Sequence, residues 1–422
     1  MFRTFNNGKD YILLLKADEF LRDRSISAAT RVFRGMVIGV NSLPALNRVR
    51  IFDHILQADP HNPEATLEAV RAFEQASGLV PRAVIPITEM TLETALVIAQ
   101  AYDIPFLSRD TVDGARNKIK MKEAFFRHGV STPRYAPFAS LEDLRSAAET
   151  LGFPVIVKPT RAAHSIGIRR IDHPDEIQAG FEYCRDGLAS VSSAWGIQEG
   201  LFQVEQYIEA DRELSVEVIN SSGGSHVVAV TDKFLTPPPF FAEVGHLVPG
   251  QDSDNDRVKQ LALDACRALG IDRGVAHVEI RVDAQGVPYV IEVAARPGGD
   301  GIMDLVERAY GVNLYDLHIR SYLGLLREDD KIAKDVFGTA AIAFMPSKTG
   351  RITQVSVPTE LPEEVKSLYL NARVGQSVGQ SLNYDDRLGT IEFYWDGRVG
   401  DIGRRHLELA EQLRDEIYDI EQ

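Results

Sequence analysis

Apolar positions divide the chain into two textures. In the first hundred residues short continuous runs, "YILLL" (Tyr11–Leu15), "GMVIGV" (Gly35–Val40) and "AVIPI" (Ala83–Ile87), alternate with helical spacing. "NPEATLEAVRAFEQASG" carries Pro63 at its start and Gly78 at its end, the punctuation of an amphipathic helix. A second helix is predicted over "TLETALVIAQAYD". Strands that are apolar throughout suit a sheet buried on both faces, so this part predicts a small doubly wound α/β domain. The first strand is not followed by GxGxxG, so the Rossmann dinucleotide fingerprint is missing.

From about Asp110 the pattern turns to hairpins. "ARNKIKMKEAFFRHG" reads as one basic helix ending at Gly129, and "STPRY" leads into a strand. "GFPVIVKP" is a short strand, and "RAAHSIGIRRI" a loop returning into another. "FQVEQYI" and "ELSVEVI" alternate as strands, "DRVKQLALDACRALG" is a helix, and "AHVEIRVDAQGVPYVIEVAA" is a second hairpin. The last ninety residues mix strands ("GTAAIAFM", "TIEFYWDG") with a charged terminal helix over "GRRHLELAEQLRDEIYDIE". Internal repeats and low-complexity tracts are absent from the sequence.

The second hairpin poses a chemical problem. Side chains alternate faces along a strand. Val278, Ile280 and Val282 share one face with Ile291 and Val293, while His277, Glu279, Arg281 and Asp283 share the other with Val290 and Glu292. A four-residue turn, Ala284 to Val287, pairs Asp283 with Pro288 and sets Glu279 across from Glu292. Facing carboxylates destabilise a ladder unless a cation lies between them. Oxygen donors without cysteine or clustered histidine suit Mg²⁺ better than Zn²⁺. Continuing the strand, Arg296 joins that face, and Gly298 and Gly299 permit close backbone approach. A hairpin whose glutamates simply face solvent gives the same pattern.

Composition narrows the classes. The 422 residues carry 46 basic and 61 acidic side chains, a formal charge of −15, which argues against a general nucleic-acid binder. Two cysteines, Cys184 and Cys266, provide no disulfide framework, consistent with a reducing, cytoplasmic setting. No run approaches the ~20 apolar residues of a membrane span. The histidines show no HxxxH or HxH spacing, and His164 lies in the small-residue loop.

Other residues gain weight from their order. Lys158 ends a hydrophobic strand ahead of a loop containing Ser165 and Gly167, which can offer N–H donors to phosphate; an ordinary hairpin turn beside a surface lysine reads the same. After Glu205, backbone at Gln206, Tyr207 and Ile208 could meet a flat heterocycle, and Glu213 could accept from ribose hydroxyls. As an ordered set, "NKIKMKEAFFRHGVSTPRY", "LGFPVIVKP", the small-residue loop, "VEQYI…RELSVE" and "HVEIRV…YVIEVAARPGGD" resemble the ATP-grasp superfamily from roughly Thr91 to Gly301. "EVAARPGGD" and "FFAEVGHLVPG" look most like its L-amino-acid ligase group, which includes dipeptide and dapdiamide-type antibiotic synthetases.

The resemblance implies an ATP-grasp fold, α/β with an α+β catalytic part, behind an N-terminal pre-ATP-grasp domain. The division it implies is 1–115, a small lobe at 116–209, a large lobe at 210–330 and a C-terminal α+β region at 331–422. By the same resemblance Lys118 and Lys158 contact ATP phosphates. Ser165 and Gly167 lie in the phosphate-covering loop. Glu205, Gln206, Tyr207 and Ile208 hold adenine, and Glu213 holds the ribose. Glu279 and Glu292 hold two Mg²⁺ ions, for which Mn²⁺ can substitute, and Arg296 contacts the transferred phosphoryl group. Many superfamily members place a metal-binding Asn where this chain has Ala294.

The implied activity is ATP-dependent carboxylate–amine ligation through an acyl-phosphate, which needs no protein nucleophile. Glu243 is expected to hold a substrate ammonium and His246 to bind carboxylate or relay a proton, with Phe240 and Phe241 as an apolar wall or loop anchors. A different acyl acceptor, a metabolite carboxylase or kinase-like reaction, and a non-catalytic nucleotide-binding protein are the alternatives. Small-molecule substrates and a homodimer are the expected partners.

Overall fold

The computed structural model describes residues 10–15, 23–42, 52–163, 165–193, 195, 197, 200–326, 332, 335–379, 386–399 and 402–421; His164 lies outside them. The opening apolar runs form the parallel sheet expected of them. β1 (Asp10–Leu15), β2 (Met36–Asn41), β3 (His54–Gln57) and β4 (Val80–Pro86) assemble in the order β3-β2-β1-β4. Tyr11, Leu13 and Leu15 pack toward α2 (Pro63–Ser77) and α3 (Leu92–Ala101), after α1 (Asp23–Val32) in the chain. Ile12 and Leu14 pack on the opposite face. The Asn62 side chain accepts from the Ala65 N–H, and Gly78 takes left-handed φ at the other end, so α2 is bounded as its punctuation predicts.

The predicted basic helix is instead two helices, α4 (Arg109–Arg116) and α5 (Lys118–Arg127). Asn117 is extended, and its side chain accepts from the Ile119 and Lys120 N–H groups, so it caps a new helix rather than continuing the old one. β5 (Tyr135–Phe138), β6 (Val155–Pro159), β7 (Arg169–Ile171) and β8 (Phe202–Gln206) form an antiparallel sheet in the order β5-β8-β6-β7. It is backed by α6 (Leu141–Leu151) and α7 (Ile177–Ser192).

An eight-stranded sheet follows. β9 (Ala210–Ser221), β10 (Gly224–Leu235), β11 (Glu243–Val248), β12 (Gly274–Asp283) and β13 (Pro288–Ala294) join β14 (Gly338–Met345), β16 (Val365–Leu370) and β18 (Gly389–Asp396). Their order is β13-β12-β9-β10-β11-β14-β18-β16. Leu214, Val216, Val218, Val278, Ile280 and Val282 pack beneath it on Val258, Ala262, Ala265 and Leu269 of α8 (Asp256–Leu269). α9 (Ile302–Tyr310) and α10 (Leu314–Tyr322) pack with the β1–β4 sheet in one apolar cluster. β15 (Gly350–Val355), β17 (Ser377–Val378) and β19 (Tyr418–Glu421) make a small third antiparallel sheet. The terminal helix, α11 (Arg405–Ile417), stops four residues before Glu421, because Tyr418–Glu421 pairs with β15 instead of adding a helical turn.

His318 of α10 ties the first, parallel sheet to the eight-stranded sheet. Its Nε2 lies 3.0 Å from the Pro86 carbonyl, and its Nδ1 accepts from the Val275 N–H at 3.0 Å, which fixes a neutral ring. Burial pulls its pKa from 6.5 down to about 4, against the opposing bond to Pro86. Between those values the unfolded chain binds the extra proton. Stability from this group is therefore full above pH 6.5 and is lost as pH falls through 4. Chemical denaturation over that window is expected to show the loss. His318→Gln should shrink it and lower stability above pH 6.5 by about 1–3 kcal/mol; an unchanged pH slope in the variant would place the acid sensitivity elsewhere.

Candidate functional site

Charged side chains gather on the upper face of the eight-stranded sheet because the register aligns them. Ser215 lies opposite Glu279, Glu217 opposite His277, and Glu213 opposite both Arg281 and Lys233. On β13, Glu292 lies across from Glu279 as expected, by a route the sequence did not suggest. The turn is one residue longer than expected: Val282, not Asp283, pairs with Pro288. The single-residue slip is undone by a β-bulge in which Ile291 is the extra residue, between the Ile280–Val290 and Glu279–Glu292 pairs. Val290, not Ile291, therefore joins Val293 in the buried apolar face. The bulge is anchored from outside: the Val290 N–H donates to Ser131 O (2.9 Å), and Val290 O accepts from Thr132 Oγ1 (2.8 Å) and Lys122 Nζ (3.3 Å).

Each facing carboxylate is met by a lysine. Lys233 Nζ donates to Glu279 Oε1 at 2.6 Å, and Lys118 Nζ to Glu292 Oε1 at 2.9 Å and to Ala162 O at 2.8 Å. Burial would raise the Glu279 pKa, but Lys233, then His277, hold it well below the usual carboxylate range. The contacts fall on Oε1 in both glutamates, so each keeps an oxygen for a metal ion. Two hard oxygen donors facing one another fit Mg²⁺. His277 contacts Glu279 from its Nε2 at 3.4 Å and Glu217 from its Nδ1 at 2.7 Å, and despite burial the two carboxylates lift its pKa to about 9.

Lys158 is buried and bonds Glu205 Oε1 at 2.8 Å. The same oxygen lies 3.1 Å from Lys122 Nζ, a lysine missed in the sequence although its i+4 spacing from Lys118 puts both on one side of α5. Burial lowers the Lys122 pKa to about 8, partly countered by Glu205. Burial would raise Glu205, but the two lysines outweigh it and hold it low. The Glu205 carboxylate is thus committed to Lys122, Lys158 and Gln203, and its backbone pairs in β8 between β5 and β6. Gln206 and Tyr207 donate their N–H groups to Arg134 O (2.8 Å) and Pro154 O (3.2 Å), and the Tyr207 ring lies between the Arg170 and Arg281 guanidiniums. Ile208 follows them, buried. Of the three backbone N–H groups expected to face a heterocycle, those of Gln206 and Tyr207 are therefore already bonded within the protein. Glu213 lies 3.7 Å from Arg281 Nε, its pKa raised by burial against the pull of Arg281 and Lys233. In the loop, Ser165 takes φ 58° and donates to Phe241 O at 3.1 Å. Gly167 takes φ 72°, where a Cβ would also meet Pro159 Cγ at 2.9 Å.

Glu243 and His246 do come together, with two residues the sequence did not single out. Glu243 Oε1 bonds Lys233 at 2.7 Å, and its Oε2 lies 3.6 Å from His246 Nε2. Asp300 lies 4.0 Å from His246 and takes both terminal nitrogens of Arg387, at 3.1 and 2.8 Å. Burial would raise Glu243, but Lys233 and then His246 keep it well below its ordinary value. His246 is fully buried and both ring nitrogens lack a hydrogen-bond partner among the described residues. Phe241 is buried and Phe240 packs on Tyr183. Arg296 projects toward the N-terminal part, 3.3 Å from Glu89 Oε2; Glu89 also meets Arg116 at 3.3 Å. Cys184 and Cys266 are buried and free, and burial pushes the Cys266 thiol up to about 12, so neither is a nucleophile.

Removing Glu205 leaves two buried ammonium groups facing each other. Glu205→Ala is expected to cost about 3–5 kcal/mol in chemical denaturation, and Glu205→Gln less. A loss under about 1 kcal/mol would show that solvent already screens the lysines.

Residues 151–304 match the ATP-grasp domain family. Among curated proteins, an alanine–anticapsin ligase of Bacillus subtilis is 29% identical over 219 residues, 49% of this chain and 46% of that protein. A D-alanine–D-alanine ligase of Xanthomonas axonopodis pv. citri is 30% identical over 211 residues, 48% of this chain and 62% of that protein. The chain spans about half the length of the first of these relatives. Among solved structures, an L-amino acid ligase from Bacillus licheniformis superposes with a TM-score of 0.79 at 22% identity, covering 99% of this chain and 100% of that one. A biotin carboxylase from Campylobacter jejuni gives 0.68 at 18%, covering 97% and 91%. These likenesses establish the fold. No described helix is long and apolar enough to cross a membrane.

Proposed function

We propose that this chain, which carries an ATP-grasp domain, is an ATP-dependent carboxylate–amine ligase that joins an amino acid or related acid to an amino acid. The observation that carries the reading is the lysine-flanked Glu279–Glu292 pair set against the Glu243–His246–Asp300–Arg387 cluster. The first suits a metal-bound polyphosphate. The second presents both signs of charge within one cluster, as a zwitterionic substrate requires. The similarity to ligases named for alanine–anticapsin and D-alanine–D-alanine supports the same class.

Glu279 and Glu292 would hold Mg²⁺, two ions in this proposal with Mn²⁺ able to replace them; the metal would neutralise phosphate charge. Lys118 and Lys158 bind phosphate oxygens beneath the Ser165–Gly167 loop. The 205–208 segment holds adenine through backbone, and Glu213 holds ribose. A carboxylate is a poor acylating group until its oxygen becomes a better leaving group. Transfer of the γ-phosphoryl group supplies that as an acyl-phosphate, and the amine then displaces phosphate. Arg296 steadies the charge that develops on the transferred group. Glu243 holds the substrate ammonium, and His246, whose ring nitrogens lack a hydrogen-bond partner among the described residues, binds substrate carboxylate or takes a proton. The division at residues 115, 209 and 330 and a homodimer belong to the same proposal.

Phosphate release from ATP should require a carboxylate and an amine together, and the product mass should equal their sum less water. Glu292→Ala is expected to lower kcat/KM by at least about 100-fold. If no pair from a broad amino-acid panel raises phosphate release, the substrate class is wrong. Arg387→Ala should raise the KM for an amino-acid substrate about tenfold, or roughly 1.4 kcal/mol, with the KM for ATP little changed. An equal rise in both would place Arg387 outside the substrate pocket.

A further inference from the structure

Behind Glu279 lies a carboxylate to which the proposed chemistry gives no part. Glu217 on β9 is fully buried. Its Oε1 accepts from Ser215 Oγ at 3.1 Å and lies 2.7 Å from His277 Nδ1. The other nitrogen of that ring, Nε2, is 3.4 Å from Glu279 Oε1, the oxygen that Lys233 already holds at 2.6 Å. Strand register builds the row, with Glu217 opposite His277 and Ser215 opposite Glu279. The chain leaving β13 closes over it: a Cβ on Gly298 would lie 3.1 Å from both Glu217 Oε2 and His277 Nδ1. Burying a carboxylate here is costly unless it answers a partner, and that partner is the imidazole.

We propose that Glu217 and His277 are positioning residues for Glu279, and that together with Lys233 they pin its Oε1 so that Oε2 alone is presented to the metal ion. Glu217 accepts a hydrogen bond from the Nδ1–H and so fixes which way the ring faces. The ring then aims Nε2 at Glu279, and the carboxylate loses its freedom to swing or to bind through both oxygens. A ligand whose orientation is set in advance binds metal more tightly than one that must be ordered on binding. The inference rests on the reading of Glu279 as a metal ligand.

The test is Mn²⁺ binding to the full chain in the presence of ADP, followed by loss of the free-Mn²⁺ electron paramagnetic resonance signal. His277→Asn keeps an amide near the Nδ1 position but loses the reach to Glu279; His277→Gln keeps that reach. His277→Asn and Glu217→Gln should each weaken Mn²⁺ binding about 10–100-fold, with His277→Gln between them and wild type. Metal-free ADP affinity should stay within about twofold. Should Glu217→Gln not fold, the two His277 variants carry the test through their order. Mn²⁺ affinities within twofold of wild type, or His277→Gln no better than His277→Asn, overturn the positioning role. A wild-type protein that takes up no Mn²⁺ with ADP overturns the metal reading itself, which is a distinguishable failure.

Discussion

Glu279 and Glu292 face each other across an antiparallel ladder, and like charges in that position repel unless cations answer them. Much of the surrounding architecture supplies those cations. Lys233 comes from β10 in the same sheet, Lys118 from the start of α5, and His277 from the strand that carries Glu279. The neutralisation is shared among distant segments, so the carboxylate pair also ties those segments to one another. A chain with a net charge of −15 thereby gathers several of its cations beside this acidic pair.

The ion pairs extend outward from that centre in three directions. Lys122 bonds the carbonyl of the bulge that sets the Glu279–Glu292 register, and also meets Glu205, which orients Lys158. The Glu205–Lys158 pair is therefore joined to the Glu279–Glu292 hairpin through the buried Lys122. Toward β11, Lys233 bonds Glu279 and Glu243 at once. Toward the N-terminus, Arg296 meets Glu89, and Glu93 meets Arg116 and Arg161. Several of these partners are acidic side chains holding the cations that phosphate or substrate carboxylate would take.

The hairpin shows how pattern and packing divide the work. Alternation puts Glu279 among charged neighbours and Val278, Ile280 and Val282 in the core, and that assignment holds. Alternation also assigns Ile291 to the core, and this fails because a bulge inserts it between two pairs. A bulge at an isoleucine leaves no mark in composition. It is stabilised by Ser131, Thr132 and Lys122, more than 150 residues away. The split of the basic helix at Asn117 is the opposite case, since an Asn ahead of a helical run is a local capping signal that the sequence does carry.

The sequence by itself determined most of the strands and helices, the strand faces outside the bulge at Ile291, the charge rows and the order of the motifs, because these depend on neighbours one to four residues apart. Tertiary structure alone decided the partners of those charges. Glu205 was bound to Lys122 and Lys158, Asp300 to Arg387 from the C-terminal region, and His318 to the first sheet. Such contacts join residues with no fixed spacing, and only the folded chain sets their distances. An ionic interaction depends on distance and burial, and neither is written in the order of the residues.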